Sequence, residues 1–428
     1  MSSKKEEQPL TGRMREDREP VSLKEYEAGG GYQAVRKVLG RMSPGEVIEE
    51  VKKSNLRGRG GAGFPTGMKW GFVPTGENAP QPKYVVANAD EMEPGTFKDR
   101  LLMERDPHLL IEGCILCAYA IQARFSFIFL RWAYKTSQRA LERAVAEAYE
   151  AGYLGKNILG SDLSLDVHLH MSSGRYMCGE ETGLLNSLEG RQATPRSKPP
   201  YPGVSGLFGQ PTVVNNVETL SSVPGIIRHG AQWFKELSRT EDGGSKIYGV
   251  SGRVKHPGAW ELPMGTTLGE LLDRAGGFRD GLKFRGALPG GASTSFLVDE
   301  HLDLPLDFTA TGKAGKSLGT GCAIVLDDGR CPVGMLVSLE HFFAQESCGW
   351  CTPCREGLPW IEKTLTALEE GQGLMEDIER LKKQAKLLSP GHTFCALAPG
   401  AAMPLGSGLE YFEDDFRRHV EEKRCPWK

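Results

Sequence analysis

Cys348, Cys351 and Cys354 stand at two-residue spacing in the run ESCGWCTPCREG (346–357), and Cys395 follows 41 positions after Cys354. A cubane iron–sulfur cluster needs four thiolates, one per corner iron. A Cys-x2-Cys-x2-Cys loop wraps three corners and a remote cysteine supplies the fourth. Zinc usually takes its thiols as two separate Cys-x2-Cys pairs, which these four residues do not form. The spacing favours [4Fe–4S], with structural zinc and unligated thiols as the alternatives. A protein holding such a cluster moves single electrons, so the electrons need a source. Cys114 and Cys117 are also two residues apart, but they lie inside the apolar run IEGCILCAYAI and read as buried core thiols.

Four further segments carry candidate binding groups. In the glycine tract, Gly58, Gly60 and Gly63 match the Gly-x-Gly-x-x-Gly dinucleotide fingerprint in form. That fingerprint needs a preceding strand, whereas a helix pattern precedes this one, so the standard Rossmann reading is rejected. Near-consecutive glycines still let the backbone approach a phosphate or a planar ring and present amide donors. Arg57, Arg59 and Lys69 add positive charge; a mobile loop is the plainer reading. Asn88, Asp90, Glu91 and Glu93 form an acidic loop directly after a short apolar run, where carboxylates can accept from ribose hydroxyls, bind a cation or simply be solvated. Tyr176, Gly179, Glu180, Glu181 and Thr182 form a third set. Asn215, Asn216, Glu218 and Thr219 form a fourth, in which adjacent amides suit a heterocycle edge. Each of the last two, taken singly, reads first as structural.

The elements that must position these groups alternate. Tyr84 to Ala87 reads as a buried strand, Asp106 to about Ala123 as a helix capped by Asp106, and Phe125 to Leu130 as a strand. A helix with Ala140, Leu141, Ala144, Val145 and Ala148 on one face ends at Gly152, and Ser164 to His170 alternates as a strand. β-α-β-α-β favours a largely parallel sheet covered by helices. The first helix is placed at Ser43 to Glu46, a capping box with Pro44 in the first turn. Residues 1–21 read as a flexible or partner-docking arm, 22–243 as the α/β domain, 244–330 as a small α+β domain opening on a hairpin pair, and 331–428 as a helical domain around the cysteine loop. There the helix after the cysteines is expected from Arg355 to Glu370.

Bulk properties narrow the class. The chain has 428 residues, 39% apolar and 25% charged, with net charge −3. That balance gives no electrostatic case for nucleic acid or an anionic membrane. No apolar run reaches the length of a membrane span and the N-terminus is polar, so neither a span nor a secretory signal is expected. Ten cysteines then point to reduced thiols or metal ligation in the cytoplasm. The 54 glycines imply many tight turns and close backbone approaches.

Six ordered segments, GRGGAGFPTGMKW, NADEMEPGTFKDR, CGEETGLLNSLEG, KPPYP, PTVVNNVETL and ESCGWCTPCREG, make the chain resemble the NADH-binding flavoprotein subunit of respiratory complex I, the F-type (51 kDa-type) component in bacteria. The resemblance runs from about residue 20 to 420. It implies a Rossmann-like FMN/NADH domain with a mostly parallel sheet, then a small ubiquitin-like (β-grasp, SLBB-type) α+β domain, then a C-terminal helical bundle carrying the cluster. It implies non-covalent FMN, one [4Fe–4S] cluster and NADH as substrate. Gly58, Arg59, Gly60, Gly61 and Lys69 would hold the FMN phosphate side. Asn88, Asp90, Glu91, Tyr176, Gly179, Glu180, Glu181, Asn215, Asn216 and Thr219 would form the flavin pocket. Phe64, Phe72 and Tyr201 would flank the adenine, Glu93 would bind its ribose, and Lys198 and Glu181 would lie nearby. Cys348, Cys351, Cys354 and Cys395 would ligate the cluster, which must lie close to the flavin.

Implied partners are a thioredoxin-like [2Fe–2S] subunit of the E type and a large iron–sulfur subunit of the G type. The expected place is the peripheral arm on the cytoplasmic side of the inner membrane, with no direct insertion. The same module occurs in soluble NAD-linked hydrogenases and formate dehydrogenases, so a diaphorase subunit is the alternative. The lack of a second cysteine array favours the respiratory form. A non-redox, zinc-stabilised nucleotide-binding protein is a third reading. The chain has Arg131-Trp132-Ala133-Tyr134 where the family commonly has Arg-Gly-Glu-Tyr, Met171-Ser172-Ser173-Gly174 in place of an Arg-Gly-Ala-Gly stretch, Gly183 in place of an alanine, and Tyr201 in place of a phenylalanine.

Overall fold

A computed structural model describes residues 7–428. The chain divides into two compact units. The first holds the described residues up to Met92, with Phe97–Ile247 and Trp260–Gly265; the second holds Glu93–Thr96, Tyr248–Ala259 and Thr266–Lys428.

The first unit is built on four parallel strands: β1 (Tyr84–Ala89), β2 (Phe125–Leu130), β3 (Asp166–Met171) and β4 (Thr212–Asn216), in the order β3-β2-β1-β4. Helices connect them because parallel neighbours need long crossovers. Pro107–Ile121 is buried nearly all round, which explains why its sequence is apolar without a polar stripe. Cys114 and Cys117 lie inside it at 0% exposure, as core thiols should, and burial pushes the Cys114 thiol up to about 12. Lys135–Glu150 shows the opposite pattern, one apolar stripe with Ala140, Leu141, Ala144 and Ala148 buried.

Several expectations need correction. The Pro44–Lys53 helix has its Ser43/Glu46 capping box, but Leu23–Ala28 and Gln33–Arg41 precede it. Asp106 does not cap Pro107–Ile121 with its side chain; its carboxylate instead takes the Arg13 guanidinium at 2.7 Å. Residues 7–21 are not a flexible arm. Leu10 is buried, and the Glu261 carboxylate accepts from the amides of Leu10 and Thr11 at 2.8–3.1 Å. A polar, aperiodic segment gives no sign of such an anchor, because the acceptor lies some 250 positions away. Residues 1–6 of the expected arm lie outside the described residues.

The smaller sheet has the order β6-β5-β8-β7, from β5 (Ser245–Ser251), β6 (Gly258–Pro263), β7 (Phe284–Leu288) and β8 (Cys322–Asp327). β8 runs parallel to β5 and antiparallel to β7. The Thr267/Glu270 capping box opens Leu268–Arg274 as expected. Five helices follow: Pro332–Glu346, Thr352–Glu369, Met375–Leu387, Leu397–Tyr411 and Glu413–Glu422. The helix after the cysteine loop begins three residues earlier than expected, because Pro353 suits a first turn. Among the described residues no helix is long and apolar enough to cross a membrane.

Two helices of the first unit meet tightly at Gly113. A Cβ there would sit 2.2 Å from the Leu220 carbonyl oxygen of Val217–His229. Gly113→Ala must push two packed helices apart, so it should cost about 2–3 kcal/mol. Chemical denaturation measures this, and a loss under about 1 kcal/mol would show that the crossing is loose.

Candidate functional site

Loops at the carboxyl ends of parallel strands are where such sheets bind ligands. Here the acidic loop leaves β1, Arg131 to Tyr134 leave β2, Ser172 to Gly174 leave β3, and Asn215 and Asn216 end β4. All these strand ends belong to the first unit.

The glycine tract is a closed loop between Pro44–Lys53 and Thr66–Gly71, with no strand before it, as its rejection as a Rossmann fingerprint requires. Gly58 N–H donates to the Phe64 carbonyl at 2.9 Å, and Arg57 Nε donates to the Gly63 carbonyl at 2.6 Å. Gly61 and Gly63 have φ of +118° and +65°, which side chains disfavour. The Arg59 side chain does not face outward. It is fully buried, donates to the carbonyls of Gly243 and Ser245 at 2.7 and 3.1 Å, and its own amide donates to Thr219 Oγ1 at 2.8 Å. Its guanidinium therefore holds the tract in place, and Lys69 is the cation on the accessible side. Lys69 Nζ lies 2.8 Å from Glu181, which also takes Lys198 at 2.7 Å; Lys198 reaches Glu180 at 3.4 Å. Burial would raise the Glu181 carboxyl, but Lys69 and Lys198 hold it down at about 2. Glu180 caps Glu181–Leu188 through the amides of Thr182 and Gly183. A Cβ on Gly183 would stand 2.6 Å from the Met177 carbonyl oxygen, which accounts for glycine there.

The acidic loop is largely bonded within the protein. Asn88 donates to the Gly179 carbonyl at 2.9 Å and accepts from Asp90 N–H, joining two of the expected binding segments. Asp90 accepts from Ser172 Oγ at 2.7 Å. Glu91 accepts from the amides of Asp99 and Arg100 at 2.8 and 3.1 Å and from Tyr134 Oη at 3.0 Å. Arg131 donates to the Glu91 carbonyl at 2.7 Å. Burial, then Asp99, pushes the Glu91 carboxyl up to about 7. Ser172, which holds Asp90, is one of the residues that depart from the family, whereas Arg131 and Tyr134, which hold Glu91, match it on either side of the departing Trp132 and Ala133. Asn215 Oδ1 accepts from Trp70 Nε1 at 2.8 Å. Asn216 is taken up by Asp99, Lys98 and Glu218 N–H. Tyr176 to Gly179 form a short 3-10 turn before the Glu180 cap.

Sequence reasoning missed what lies under these loops. Glu218 and Lys246 are at 0% exposure and Lys98 is also buried. Glu218 Oε2 lies 2.9 Å from Lys98 Nζ and 3.2 Å from Lys246 Nζ, and its other oxygen accepts from Ile247 N–H at 2.8 Å. Burial opposes this charge, but Lys246, Lys98 and Arg59 hold the carboxyl at about 2. Lys98 and Glu218 stand inside two of the six motifs, yet a charge at a helix start reads from sequence as surface.

The residues present fit a flavin mononucleotide and a nucleotide base. Thr66 Oγ1, three residues before Lys69, is buried and has no hydrogen-bond partner among the described residues. A buried donor beside a cation suits a phosphate oxygen. Phe64, Phe72 and Tyr201 are large rings left 47%, 55% and 60% exposed, and the rings of Phe64 and Phe72 are 6.2 Å apart. Such rings offer stacking faces. Glu93 belongs to the second unit, where Oε1 accepts from Ser293 N–H at 2.6 Å.

The four expected cluster cysteines also lie in the second unit. Cys351 is the N-cap of Thr352–Glu369, and Cys354 in its first turn lies 3.1 Å from Ser347 Oγ. Burial pushes the Cys354 thiol up to about 12, and the neighbouring Cys351, Cys395 and Cys348 add to it. The other three thiols are thus near enough to oppose the ionisation of Cys354, an opposition that a bound cationic centre relieves. That donor set fits a [4Fe–4S] cluster.

Residues 51–225 match the Nuo51 FMN-binding domain family, 247–297 the SLBB domain, and 334–419 the NADH-ubiquinone oxidoreductase-F iron–sulfur binding region. The F subunits of NADH-quinone oxidoreductase from Salmonella typhimurium and from Escherichia coli are each 54% identical over 97% of this chain and 94% of theirs. The corresponding F subunit of Mycobacterium tuberculosis is 48% identical over 98% of this chain and 95% of its own. Among solved structures, an NAD+-reducing [NiFe]-hydrogenase in the H2-reduced state matches with TM-score 0.80 and 36% identity, over 90% of this chain; this chain spans 63% of the length of that one. The chain belongs to the NADH-quinone oxidoreductase F-subunit family, the NADH-binding component of complex I, with an FMN-binding domain, an SLBB domain and a [4Fe–4S] region.

Glu218→Gln removes the carboxylate that buried Lys246 shares with Lys98 and leaves Lys98 with Asp99. It should cost about 3–5 kcal/mol, the scale for breaking a buried pair. In the parent protein the Glu218 carboxyl titrates at about 2 when folded against an ordinary 4.5. Its contribution is therefore complete above pH 4.5 and falls away as pH drops toward 2. Urea midpoints measured from pH 6 to 3 should fall more steeply for the parent than for Glu218→Gln; parallel curves would show that Glu218 is not the acid-sensitive group.

Proposed function

We propose that this chain is the electron-input subunit of a respiratory complex I, taking electrons from NADH on its first unit and releasing them through the cysteine-bound cluster of its second. Bound at these residues, FMN would supply two-electron acceptance from NADH and one-electron release, and a [4Fe–4S] cluster would supply single-electron acceptance. The protein's part is to bind and orient these groups, because the hydride chemistry belongs to the cofactors. What carries the reading is that an anion-ready glycine tract with Lys69 and the buried Thr66 hydroxyl occurs in the same chain as a four-cysteine set.

The residue roles follow from what each side chain has left to offer. Lys69, with the amides of Gly60 and Gly61, holds the phosphate of FMN, and Gly58 shapes that loop through its hydrogen bond to the Phe64 carbonyl. Arg59 keeps that loop in place from behind, and Thr219 fixes its amide. Asn88, Asp90, Glu91, Asn215 and Asn216 shape the flavin pocket mainly through hydrogen bonds to neighbouring segments, with Tyr176 and Gly179 forming its turn. Glu180 and Glu181 position Lys198 beside the NADH site. Phe64, Phe72 and Tyr201 stack on adenine. Glu93 binds the adenosine ribose with a carboxylate oriented by the Ser293 amide. Cys348, Cys351, Cys354 and Cys395 ligate the cluster, and the positive end of the Thr352–Glu369 helix favours its added negative charge.

Electrons then pass to a thioredoxin-like [2Fe–2S] subunit of the E type and a large iron–sulfur subunit of the G type, in the peripheral arm on the cytoplasmic side of the inner membrane. Correspondence with respiratory subunits over nearly their whole length supports this host. The hydrogenase likeness supports the second reading, a diaphorase subunit of a soluble NAD-linked hydrogenase or formate dehydrogenase.

Two variants separate the cofactor sites. Cys351→Ser should remove the iron while flavin stays bound. Lys69→Ala should leave iron unchanged and weaken flavin retention by about 1.5–3 kcal/mol, the scale of a hydrogen bond to a charged group. Iron analysis and flavin fluorescence after dilution read the two effects. Joint loss of both cofactors in each variant, or loss of neither, would sink these assignments.

For the host, the native protein should purify in a large membrane-bound assembly that reduces quinone. Recovery with a soluble hydrogenase would establish the second reading.

A further inference from the structure

A second group of ligand atoms lies apart from the cluster loop. Cys331, Glu369, His419 and Cys425 each place one ligand atom so that all lie within 4.8 Å of one another. Glu369, His419 and Cys425 are buried and Cys331 is half-buried. None of the four belongs to the six motifs.

The contacts in this group are those of donors gathered around a centre. Cys331 Sγ lies 3.1 Å from Glu369 Oε2 and 3.3 Å from His419 Nε2, and those two atoms are 3.0 Å apart. His419 Nδ1 lies 2.6 Å from the Asp415 carbonyl oxygen, which can only accept, so this nitrogen carries a proton. In the neutral ring Nε2 then presents a lone pair to a carboxylate oxygen, a repulsive contact unless a proton or a cation lies between them. A carbonyl holding the second ring nitrogen is the usual support of a metal-bound histidine. Glu369 Oε1 is occupied by Lys428 Nζ at 3.0 Å, which leaves Oε2 as a single ligand oxygen. Gly334 N–H donates to Cys331 Sγ at 3.2 Å at the start of Pro332–Glu346, where a helix N-terminus favours a thiolate.

We propose that Cys331, Glu369, His419 and Cys425 form a second metal site, a tetrahedral zinc site of two sulfurs, one nitrogen and one oxygen. Zinc bonds of about 2.3 Å to sulfur and about 2.0–2.2 Å to nitrogen or oxygen put ligand atoms roughly 3.3–3.8 Å apart, so the observed spacing needs only small adjustment. A cavity lined by Cys331, Gly334, Glu369, Cys425 and Lys428 gives an entry path. The site is structural. It joins the start of Pro332–Glu346 to the end of Thr352–Glu369, while the cysteine loop 347–351 joins the opposite ends of the same two helices. Fifteen residues of helix separate the two sites, about 22 Å at 1.5 Å per residue. The metal also clamps Glu413–Glu422 and the C-terminal tail to that helix pair.

The test uses the full chain, purified anaerobically with flavin and iron in place, given one equivalent of Zn2+ and desalted. Wild-type protein should keep about one zinc per chain. Zinc-edge absorption spectroscopy should find two sulfur and two nitrogen or oxygen neighbours. Cys425→Ser and His419→Gln should each lose at least tenfold in zinc occupancy with iron and flavin unchanged, and Cys351→Ser should lose iron and keep zinc. Zinc below a tenth per chain, a four-sulfur zinc environment, or a Cys331–Cys425 disulfide in the anaerobic protein would each overturn the proposal.

Discussion

One buried carboxylate organises the ligand-binding side of the first unit. Glu218 has no access to water, and an isolated charge there would be prohibitively costly. Lys98 arrives from the end of the acidic loop, Lys246 from the start of β5, and Arg59 from the glycine tract, so compensation of one charge fixes three segments at once. Lys98 also holds Asp99, which binds Asn216 at the end of β4. Such a network is worth little as net stability, because desolvation offsets most of its attraction. Its effect is on position, since each partner is strongly penalised for leaving.

That constraint explains how the loop residues are used. A row of carboxylates and amides after a strand suggests direct ligand contacts, but most of them are taken up by neighbouring segments of the protein. Asn88 ties β1's loop to Gly179, Ser172 holds Asp90, and Tyr134 and Arg131 hold Glu91. What remains for a ligand is a small set: the Lys69 ammonium, the Thr66 hydroxyl, glycine amides and three exposed rings. A site whose supports are locked by hydrogen bonds keeps its few contact groups in fixed positions, as binding and hydride transfer require.

The C-terminal helices follow a related logic with sulfur. The Cys348 to Cys354 loop lies at one end of the Pro332–Glu346 and Thr352–Glu369 pair, and the Cys331, Glu369, His419 and Cys425 group lies at the other. A helix pair joined only by the short loop 347–351 has little intrinsic stiffness where it turns. Fixing the far ends limits how the helices splay, and so how the three loop thiols are presented.

The sequence by itself determined the features that depend on local spacing. The two-residue cysteine rhythm needs only a loop, the capping boxes at Ser43 and Thr267 need only four residues, and the alternation of strands and helices follows from apolar periodicity. The six ordered motifs carried the family, and with it the domain order. Tertiary structure alone decided how charges and thiols pair across long separations. Nothing local tells that Glu261 receives the backbone of Leu10, that the Arg59 side chain turns inward, or that Cys331 and His419 meet across 88 positions. Local patterns are set by backbone geometry and solvent contact, which each segment expresses alone. A buried charge or thiol finds its partner only when packing has brought distant segments together, and the cost of leaving it unpaired then selects the arrangement.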